Sequence, residues 1–291
     1  MVRKAYVGGQ AVIEGVMMRG PEYVATAVRD AGGEIVVKKD RVLPLGTKYP
    51  ILSKPLLRGM VALYESLVIG MRSLMFSAQV AGEEDEKLDD KEIYTTMAVS
   101  TVFAAVLFLA IPTYAAKFIP GTGSNHVLLN LAEGILRLLI FLAYLYGISR
   151  TKDIQRVFEY HGAEHKTIYC YEKNLPLTVE NVRPQSRLHP RCGTNFLLMV
   201  VIVSIFVFAF LGWPSLWERF LSRIILMPVV AGLAYEWIRL AARSDNSLVQ
   251  ALVKPGLWLQ NITTRPPDDS QIEVAIAAMN AAKPQEEYVR G

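Results

Sequence analysis

Two long stretches of the chain, residues 94–116 and 194–217, contain neither a charged side chain nor a histidine. About 20 consecutive apolar residues in a helix cross the hydrocarbon core of a bilayer, and a soluble core seldom needs runs as long. The pattern therefore predicts an integral membrane protein and argues against a disordered, fibrous or soluble chain. Because irregular backbone is too costly in lipid, the crossing segments must be helices.

The apolar pattern predicts four spans, at about residues 94–116, 127–148, 194–213 and 220–242. The second carries Glu133 and Arg137, which lie four residues apart and so share one face of a helix. Charges inside a membrane usually face the interior of a bundle. Two interpretations stay open for this pair: an ion pair that orients the helix, or a polar pathway for an ion, a lipid headgroup or a substrate.

The N-terminal region has the pattern of β-strands. Two runs rich in β-branched residues, 23–29 and 34–39, are separated by Asp-Ala-Gly-Gly, which suits a tight hairpin. An earlier run, residues 10–18, predicts a third strand with bends at its glycines. Residues 53–80 then predict a helix that begins with Ser53 as N-cap and carries one narrow polar stripe. Such a helix lies in the membrane interface or packs against the sheet.

The distribution of basic residues orients the predicted spans. Of the 31 Lys and Arg residues, 13 precede residue 94 and eight lie between residues 149 and 193. By the positive-inside rule, both termini and the 149–193 loop face the cytoplasm, and the protein is a multi-pass protein of the inner (cytoplasmic) membrane. The lipid bilayer is thus the first predicted partner. The net charge is +4 without a basic cluster, so no nucleic acid is expected as a partner.

These patterns together predict an α+β membrane protein with four transmembrane helices, a small cytoplasmic antiparallel β domain and a cytoplasmic helical loop. No oligomeric state is predicted. The predicted organisation is a cytoplasmic β-rich domain with an amphipathic helix and an acidic linker (1–93), transmembrane helices 1 and 2 (94–148), a cytoplasmic His/Cys loop (149–193), transmembrane helices 3 and 4 (194–242) and a cytoplasmic C-terminal tail (243–291).

The predicted 149–193 loop holds three of the four histidines of the chain. Its segment His161-Gly-Ala-Glu164-His165 has the H-x-x-E-H pattern of a class of zinc hydrolases. On a helix, residues i and i+4 lie one turn apart on one face, so His161 and His165 could share one metal ion. Glu164 lies at the edge of that face, where it could act as a general base.

A third ligand is required, and His189 and Cys192 are the candidates, in a Pro/Gly-containing turn just before the third predicted span. Glu172 lies too far along the same helix, roughly 10 Å beyond His165. Zinc or another divalent metal is the expected ion. Three ligands would leave a position open, as in catalytic sites, whereas all four would close a structural site. The plain alternative is a hydrogen-bonded polar loop without metal.

Three further charged residues are candidates for supporting roles. Glu14 and Arg19 lie in a glycine-dense N-terminal segment. They either belong to a bent strand or project toward the histidine loop as substrate contacts or as groups behind the metal ligands. Arg191, beside Cys192, is a candidate partner for an oxyanion or a phosphate.

Four segments carry a resemblance to a known family. They are Gly8-Gly-Gln-Ala-Val-Ile-Glu-Gly-Val-Met-Met-Arg-Gly-Pro21, Tyr160-His-Gly-Ala-Glu-His-Lys166, His189-Pro-Arg-Cys-Gly-Thr194 and Lys254-Pro-Gly-Leu-Trp-Leu-Gln260. They resemble the YqhQ-like bacterial membrane proteins, a family of unknown function labelled a predicted metal-dependent enzyme. The resemblance implies a bacterial inner membrane and the same four metal-ligand candidates, and it implies no substrate.

The leading hypothesis is a membrane protein with a metal site on its cytoplasmic face that acts as a metal-dependent hydrolase. A membrane protein segment, a lipid or a nucleotide-like anion could be its substrate. The second hypothesis is a non-enzymatic membrane scaffold or assembly factor, with a structural metal or none. A transporter is the third, although one ion pair provides little polar lining for a pathway.

Overall fold

A computed structural model describes residues 7–82, 90–120, 125–212, 215–241, 244 and 246–284 of the protein. Most of the predicted acidic linker, residues 83–89, lies outside the described residues. The helices are α1 (Leu45–Lys48), α2 (Leu57–Ala81), α3 (Asp90–Ala105), α4 (Ile111–Ala115), α5 (His126–Ile148), α6 (Lys152–Glu172), α7 (Val179–Val182), α8 (Gly193–Ala209), α9 (Leu216–Ala241), α10 (Ser247–Thr263) and α11 (Asp269–Ala282).

The predicted antiparallel sheet is confirmed, with four strands where the sequence predicted three. Its strands are β1 (Gly8–Val12), β2 (Gly15–Arg19), β3 (Tyr23–Arg29) and β4 (Ile35–Arg41), each paired with the next in the chain. The run predicted as one strand, residues 10–18, reverses at a two-residue turn between Val12 and Gly15, which pair with each other. Glu14 in that turn has a φ of 49°. The prediction of one strand was wrong because Glu14 and Gly15, which interrupt the apolar run, mark a reversal of the chain and not a bend.

Both faces of the sheet are covered by helices, which places it at the centre of a three-layer unit. One face packs against α6 and α11, and the other packs against α2. The first face presents Val16, Met18, Ala25 and Ala27. The second presents Val12, Met17, Val24 and Val28. This alternation follows from the period of two along a strand.

Four described helices are long and apolar enough to cross a membrane: Leu57–Ala81, Tyr94–Phe118, His126–Ile148 and Trp217–Ala241. Three of them match predicted spans. The third predicted span, residues 194–213, instead forms the shorter helix α8 of 17 residues. It lies between α5 and α9 in the helical bundle. The number of candidate spans agrees with the prediction, but the set differs, because α2 had been assigned to the water-facing domain.

Helix α2 connects the two parts of the molecule. Its second half packs on the sheet through apolar residues, and the Ser73 hydroxyl accepts a hydrogen bond of 3.0 Å from Thr26. Its first half approaches α9 so closely that a Cβ on Gly59 would lie 2.8 Å from the Cα of Gly232. The helix begins at Leu57, not after Ser53, whose hydroxyl donates to the carbonyl of Gly46.

The C-terminal region returns to the sheet. Helix α10 continues through Pro255, and Gly256 packs closely against Asn195 of α8. The Ala-rich helix α11 follows, and it begins with a capping box of Asp268 and Gln271. The connection between α10 and α11 crosses α6, which is the helix that carries the predicted metal ligands.

Candidate metal site

Helix α6 presents His161 and His165 on one face, with ring centroids 4.4 Å apart. Cys192, the N-cap of α8, meets them from the opposite side, and its Sγ lies 3.1 Å from Nε2 of His161. One ligand atom from each of the three residues lies within 4.8 Å of the other two. The structure therefore brings together three of the four predicted ligands.

Backbone carbonyls fix the tautomers of both histidines. Nδ1 of His161 lies 2.8 Å from the carbonyl oxygen of Thr263, and Nδ1 of His165 lies 2.5 Å from that of Arg187. Because a carbonyl can only accept a hydrogen bond, each Nδ1 carries the proton in these pairs. Each Nε2 then keeps a free lone pair, which is the arrangement found behind histidines that bind metals.

Gly162, between the two histidines, makes this arrangement possible. A Cβ at Gly162 would lie 2.0 Å from the carbonyl oxygen of Arg265, so the α10–α11 connection can run directly over α6 only at a glycine. The backbone N–H of Arg265 also donates to the carbonyl of Phe158 at 2.8 Å. This crossing carries the Thr263 carbonyl to His161. In the sequence Gly162 looked like a spacer, because its partner lies about a hundred residues away.

Cys192 is held at the start of a helix. It is 8% exposed, and its sulfur accepts a hydrogen bond of 3.3 Å from the backbone N–H of Thr194. Helix N-termini stabilise negative charge, and the thiolate is the form of cysteine that binds metals. The position of Cys192 therefore suits a metal ligand.

His189 lies outside the group of three. Its Nε2 is 3.4 Å from Glu172, and its Nδ1 accepts a hydrogen bond of 3.3 Å from the backbone N–H of Arg191. Both ring nitrogens thus have other partners, and the closed set of four ligands is not formed. The guanidinium of Arg191 pairs with Glu172 as well. Arg191 therefore faces a carboxylate and not the position between the ligands.

Glu164 is buried against the sheet, and a Cβ added to Gly9 of β1 would lie 2.8 Å from its Oε1. Within the described part of the chain its carboxylate has no hydrogen bond or ion pair, although it lies close enough to His161 to interact electrostatically. Burial raises the pKa of Glu164 to about 7, and the attraction to His161 only partly opposes this rise. A carboxyl group with this pKa can both take up and release a proton near neutral pH.

The two N-terminal candidates pair elsewhere. Glu14 accepts a hydrogen bond of 2.5 Å from Arg156 and one of 3.2 Å from the hydroxyl of Tyr160, so it contacts α6 without pointing at the histidines. Arg19 pairs with Glu65 of α2. The part of the N-terminal segment that meets the site is instead Gly9, where the absent side chain leaves room for Glu164.

Sequence reasoning missed the residue that holds the turn before α8. The side chain of Gln260, fully buried in α10, accepts from the backbone N–H of His189 at 2.7 Å and donates to the His189 carbonyl at 2.8 Å. It also donates to the side chain of Asn195 at 3.0 Å. These bonds fix the turn that ends at Cys192. In the sequence, the available signal was a glutamine that follows the apolar residues Leu257-Trp-Leu259.

The predicted Glu133–Arg137 pair is present at a distance of 2.6 Å, in the helical bundle and away from the histidines. Two further arginines, Arg219 and Arg223 of α9, join it. By the predicted bounds, Arg219 precedes the fourth span of residues 220–242, and Arg223 lies near the start of that span. Four residues of the two helices α5 and α9 therefore form a second polar centre.

A family model described as a protein of unknown function, DUF1385, matches residues 54–285. The chain belongs to this family. The uncharacterized protein YqhQ of Bacillus subtilis (strain 168) is 41% identical, over 94% of this chain and 91% of that protein. The family resemblance seen in the sequence is thereby confirmed. Neither description names a metal or a reaction. No solved structure matches the chain significantly.

Proposed function

We propose that this DUF1385 protein is a metal-dependent hydrolase of the bacterial inner membrane, with His161, His165 and Cys192 as metal ligands and Glu164 as general base. The observation that carries the proposal is the convergence of three ligand atoms within 4.8 Å of one another. The two carbonyls behind the histidines strengthen it, since they leave each Nε2 free to bind.

The donor set suits zinc. Bonds of about 2.0–2.3 Å in a tetrahedral site separate the ligand atoms by roughly 3.3–3.6 Å, and the Nε2–Sγ distance of 3.1 Å between His161 and Cys192 is close to this range. Two histidines and a cysteine would provide three ligands, the number that is typical of catalytic zinc sites. A zinc ion held by these residues would supply a Lewis acid for a hydrolytic reaction.

Glu164 provides the proton transfer in this proposal. It lies next to His165 in sequence and is not one of the three grouped ligands. With a pKa of about 7 it is partly protonated at neutral pH, which matches the optimum for a general base that must later return its proton. Burial against Gly9 holds the carboxylate in place.

We propose a membrane placement that differs from the set of candidate spans in one helix, because α2 is itself long and apolar enough to cross. In this placement the segment Tyr94–Phe118, α5, α8 and α9 cross the membrane, whereas α2 lies against the sheet at the cytoplasmic surface, which its buried polar residues Ser73 and Ser77 support. At ~1.5 Å per residue, the 17 residues of α8 reach about 25 Å, close to the thickness of a bilayer core. Both termini and the 149–193 loop face the cytoplasm. Reporter fusions at residues 120, 175 and 291 test this, and a periplasmic signal at residue 175 would contradict it.

The substrate classes proposed are a peptide bond in a membrane protein segment and an ester bond in a lipid, because the metal site directly precedes α8. The test is hydrolysis of peptide, carboxyl ester and phosphodiester probes by the purified, zinc-loaded protein. Glu164→Gln is expected to lower the rate at least about 100-fold while the protein keeps its metal. His161→Ala is expected to lose both the activity and the metal. Full activity of Glu164→Gln would remove the general base from the proposal.

A second candidate is a non-enzymatic membrane scaffold with a structural metal. The low exposure of the site favours it, since His165 and Glu164 are 1% and 4% exposed and a substrate needs access. A structural site predicts that Glu164→Gln is silent in cells while His161→Ala destabilises the domain. The two substitutions compared in one strain therefore separate the two functions.

A further inference from the structure

A second polar centre lies inside the helical bundle, where three guanidinium groups surround one carboxylate. Glu133 of α5 lies 2.6 Å from Arg137, 2.6 Å from Arg219 and 3.2 Å from Arg223. These three arginine side chains are only 7%, 5% and 0% exposed, and that of Glu133 is 1% exposed. We call these four residues the arginine cluster.

The arginine cluster carries two positive charges in excess. Glu133 is the one carboxylate within ion-pair distance of the three guanidiniums in the described part of the chain. The nearby segments outside it, residues 121–124 and 213–214, contain no charged residue. A charge buried in a low-dielectric bundle is costly unless an opposite charge compensates it. The excess therefore points to a negatively charged ligand.

Neutral groups of the bundle are arranged to hold the arginines. Nε of Arg137 donates to the backbone carbonyl of Phe108 at 2.9 Å. In a regular helix that carbonyl would accept from residue 112, but Pro112 has no N–H to donate. The side-chain oxygen of Asn130 accepts from Arg223 at 2.9 Å and from Arg219 at 3.3 Å. These acceptors orient the guanidiniums, yet they do not cancel the excess charge.

The arginine cluster is separate from the metal site. Arg137 also reaches the Ser204 hydroxyl at 3.4 Å, and Ser204 lies 12 residues after Cys192 along the chain, or ~18 Å along a helix. The neighbouring positions of α9 point outward as exposed apolar side chains, at Trp217, Leu221 and Ile225. A lipid could therefore approach the cluster from the side of the bundle.

We propose that the arginine cluster binds a phosphate group at the end of the bundle remote from the metal site. Guanidinium groups present paired N–H donors that match phosphate oxygens, and three of them around one position supply more donors than Glu133 can accept. The phosphate belongs either to a phospholipid headgroup or to free inorganic phosphate. The chemistry of recognition is the same for both sources.

The experiment uses full-length protein purified in a neutral detergent and follows its thermal unfolding. Phosphatidylglycerol and inorganic phosphate are titrated separately, and diacylglycerol, which has no phosphate, serves as the lipid control. At least one phosphate probe is expected to raise the unfolding midpoint of the wild type, by mass action on the folded state. Stabilisation by phosphatidylglycerol alone assigns the lipid source, and stabilisation by inorganic phosphate assigns the free anion.

Two variants and one control make the test specific. Arg223→Gln is expected to lower the affinity for the phosphate probe about tenfold or more, since a charge-assisted hydrogen bond is lost. Arg150→Gln, which removes an exposed cation from the other end of α5, is expected to respond like the wild type. Glu133→Gln raises the excess to three positive charges and should bind the probe about tenfold more tightly, even though it unfolds more easily without probe.

The proposal is overturned if neither phosphate probe stabilises the wild type or Glu133→Gln beyond the diacylglycerol control. It is also overturned if Arg223→Gln folds and responds to the probes as the wild type does. Should Arg223→Gln fail to fold, the tighter binding expected of Glu133→Gln still decides the question.

Discussion

The candidate metal site (His161, His165 and Cys192) and the arginine cluster are both buried and polar, but they present opposite kinds of chemistry. The metal site presents electron pairs: two imidazole Nε2 atoms and a sulfur lie within 4.8 Å of one another, with a carboxyl group nearby. The arginine cluster presents donors, with three guanidiniums around one carboxylate. The comparison teaches that the uncompensated groups of a buried site indicate the class of its ligand. Electron pairs without a cation suit a metal ion, and guanidinium groups in excess of carboxylates suit an anion.

The two centres also use backbone carbonyls in different ways. In the candidate metal site, the carbonyls of Thr263 and Arg187 accept hydrogen bonds from the Nδ1–H groups of His161 and His165, so each Nε2 is the unprotonated nitrogen. In the arginine cluster, the Phe108 carbonyl takes one donor of Arg137 and orients the others. The Thr263 carbonyl is available because Thr263 is the last residue of α10, and the Phe108 carbonyl lies one turn before Pro112, which has no N–H to donate.

The largest expected effect is on the stability of the arginine cluster. Glu133→Ala leaves three buried guanidiniums without a carboxylate, and loss of one partner from a buried charge network typically costs about 3–5 kcal/mol. The matched control is Glu273→Ala, which removes the partner of Arg29 in a surface pair and should cost less than about 1 kcal/mol. Denaturant unfolding in detergent measures both. Equal losses would mean that the buried carboxylate does not hold the bundle together.

Glu164 gives an effect that depends on pH. Its pKa is about 7 in the folded protein, compared with an ordinary value of 4.5, so the folded protein holds a proton that the unfolded chain releases. Stability therefore falls as pH rises from about 4.5 to 7, and the loss is complete above that window. In metal-free protein at pH 8, Glu164→Gln should be more stable by up to about 3 kcal/mol. Near pH 4.5 this gain in stability should vanish, because the carboxyl group is then protonated in the folded protein. A gain of equal size at both pH values would contradict the explanation that the wild type loses stability by ionising a buried carboxyl group.

A smaller effect is expected where the sheet meets the metal site. Gly9→Ala places a methyl group 2.8 Å from Glu164 and from the Met17 carbonyl, and such overpacking typically costs about 1–3 kcal/mol. Gly8→Ala is the matched control, because nothing lies within 4 Å of its added Cβ. Unfolding midpoints and metal content measure the pair of variants. Gly9→Ala should keep its metal, since none of the three ligands is touched; equal stability of the two variants would refute the close contact.

Local patterns in the sequence predicted most of the fold. The β-branched runs of β3 and β4 and the long apolar runs of α5 and α9 are local features of the sequence, so these strands and helices were found near their positions. The turn at Glu14 was missed because the sequence analysis interpreted the adjacent Gly15 as a bend within one strand and not as a reversal of the chain. The placement of α2 is harder to predict from sequence, because covering a sheet and facing lipid require the same apolar residues.

The sites were predicted only where their spacing is local. His161 and His165 lie one turn apart, so their shared face follows from helix geometry. The choice of Cys192 over His189 depends on Gln260, which lies far away in sequence and holds the intervening turn. Arg219 and Arg223 were missed as partners of Glu133 because the meeting of α5 with α9 is a tertiary contact. Their i, i+4 spacing beside an apolar run was the one available signal.

The central claim is that His161, His165 and Cys192 form the metal site and that His189 does not belong to it. The most direct measurement is the zinc content per chain of the wild type, Cys192→Ala and His189→Gln, each expressed with added zinc and purified at full length. The account predicts about one zinc per chain in the wild type and in His189→Gln, and nearly none in Cys192→Ala. A wild type without metal, or a Cys192→Ala protein that keeps zinc while His189→Gln loses it, would contradict the account.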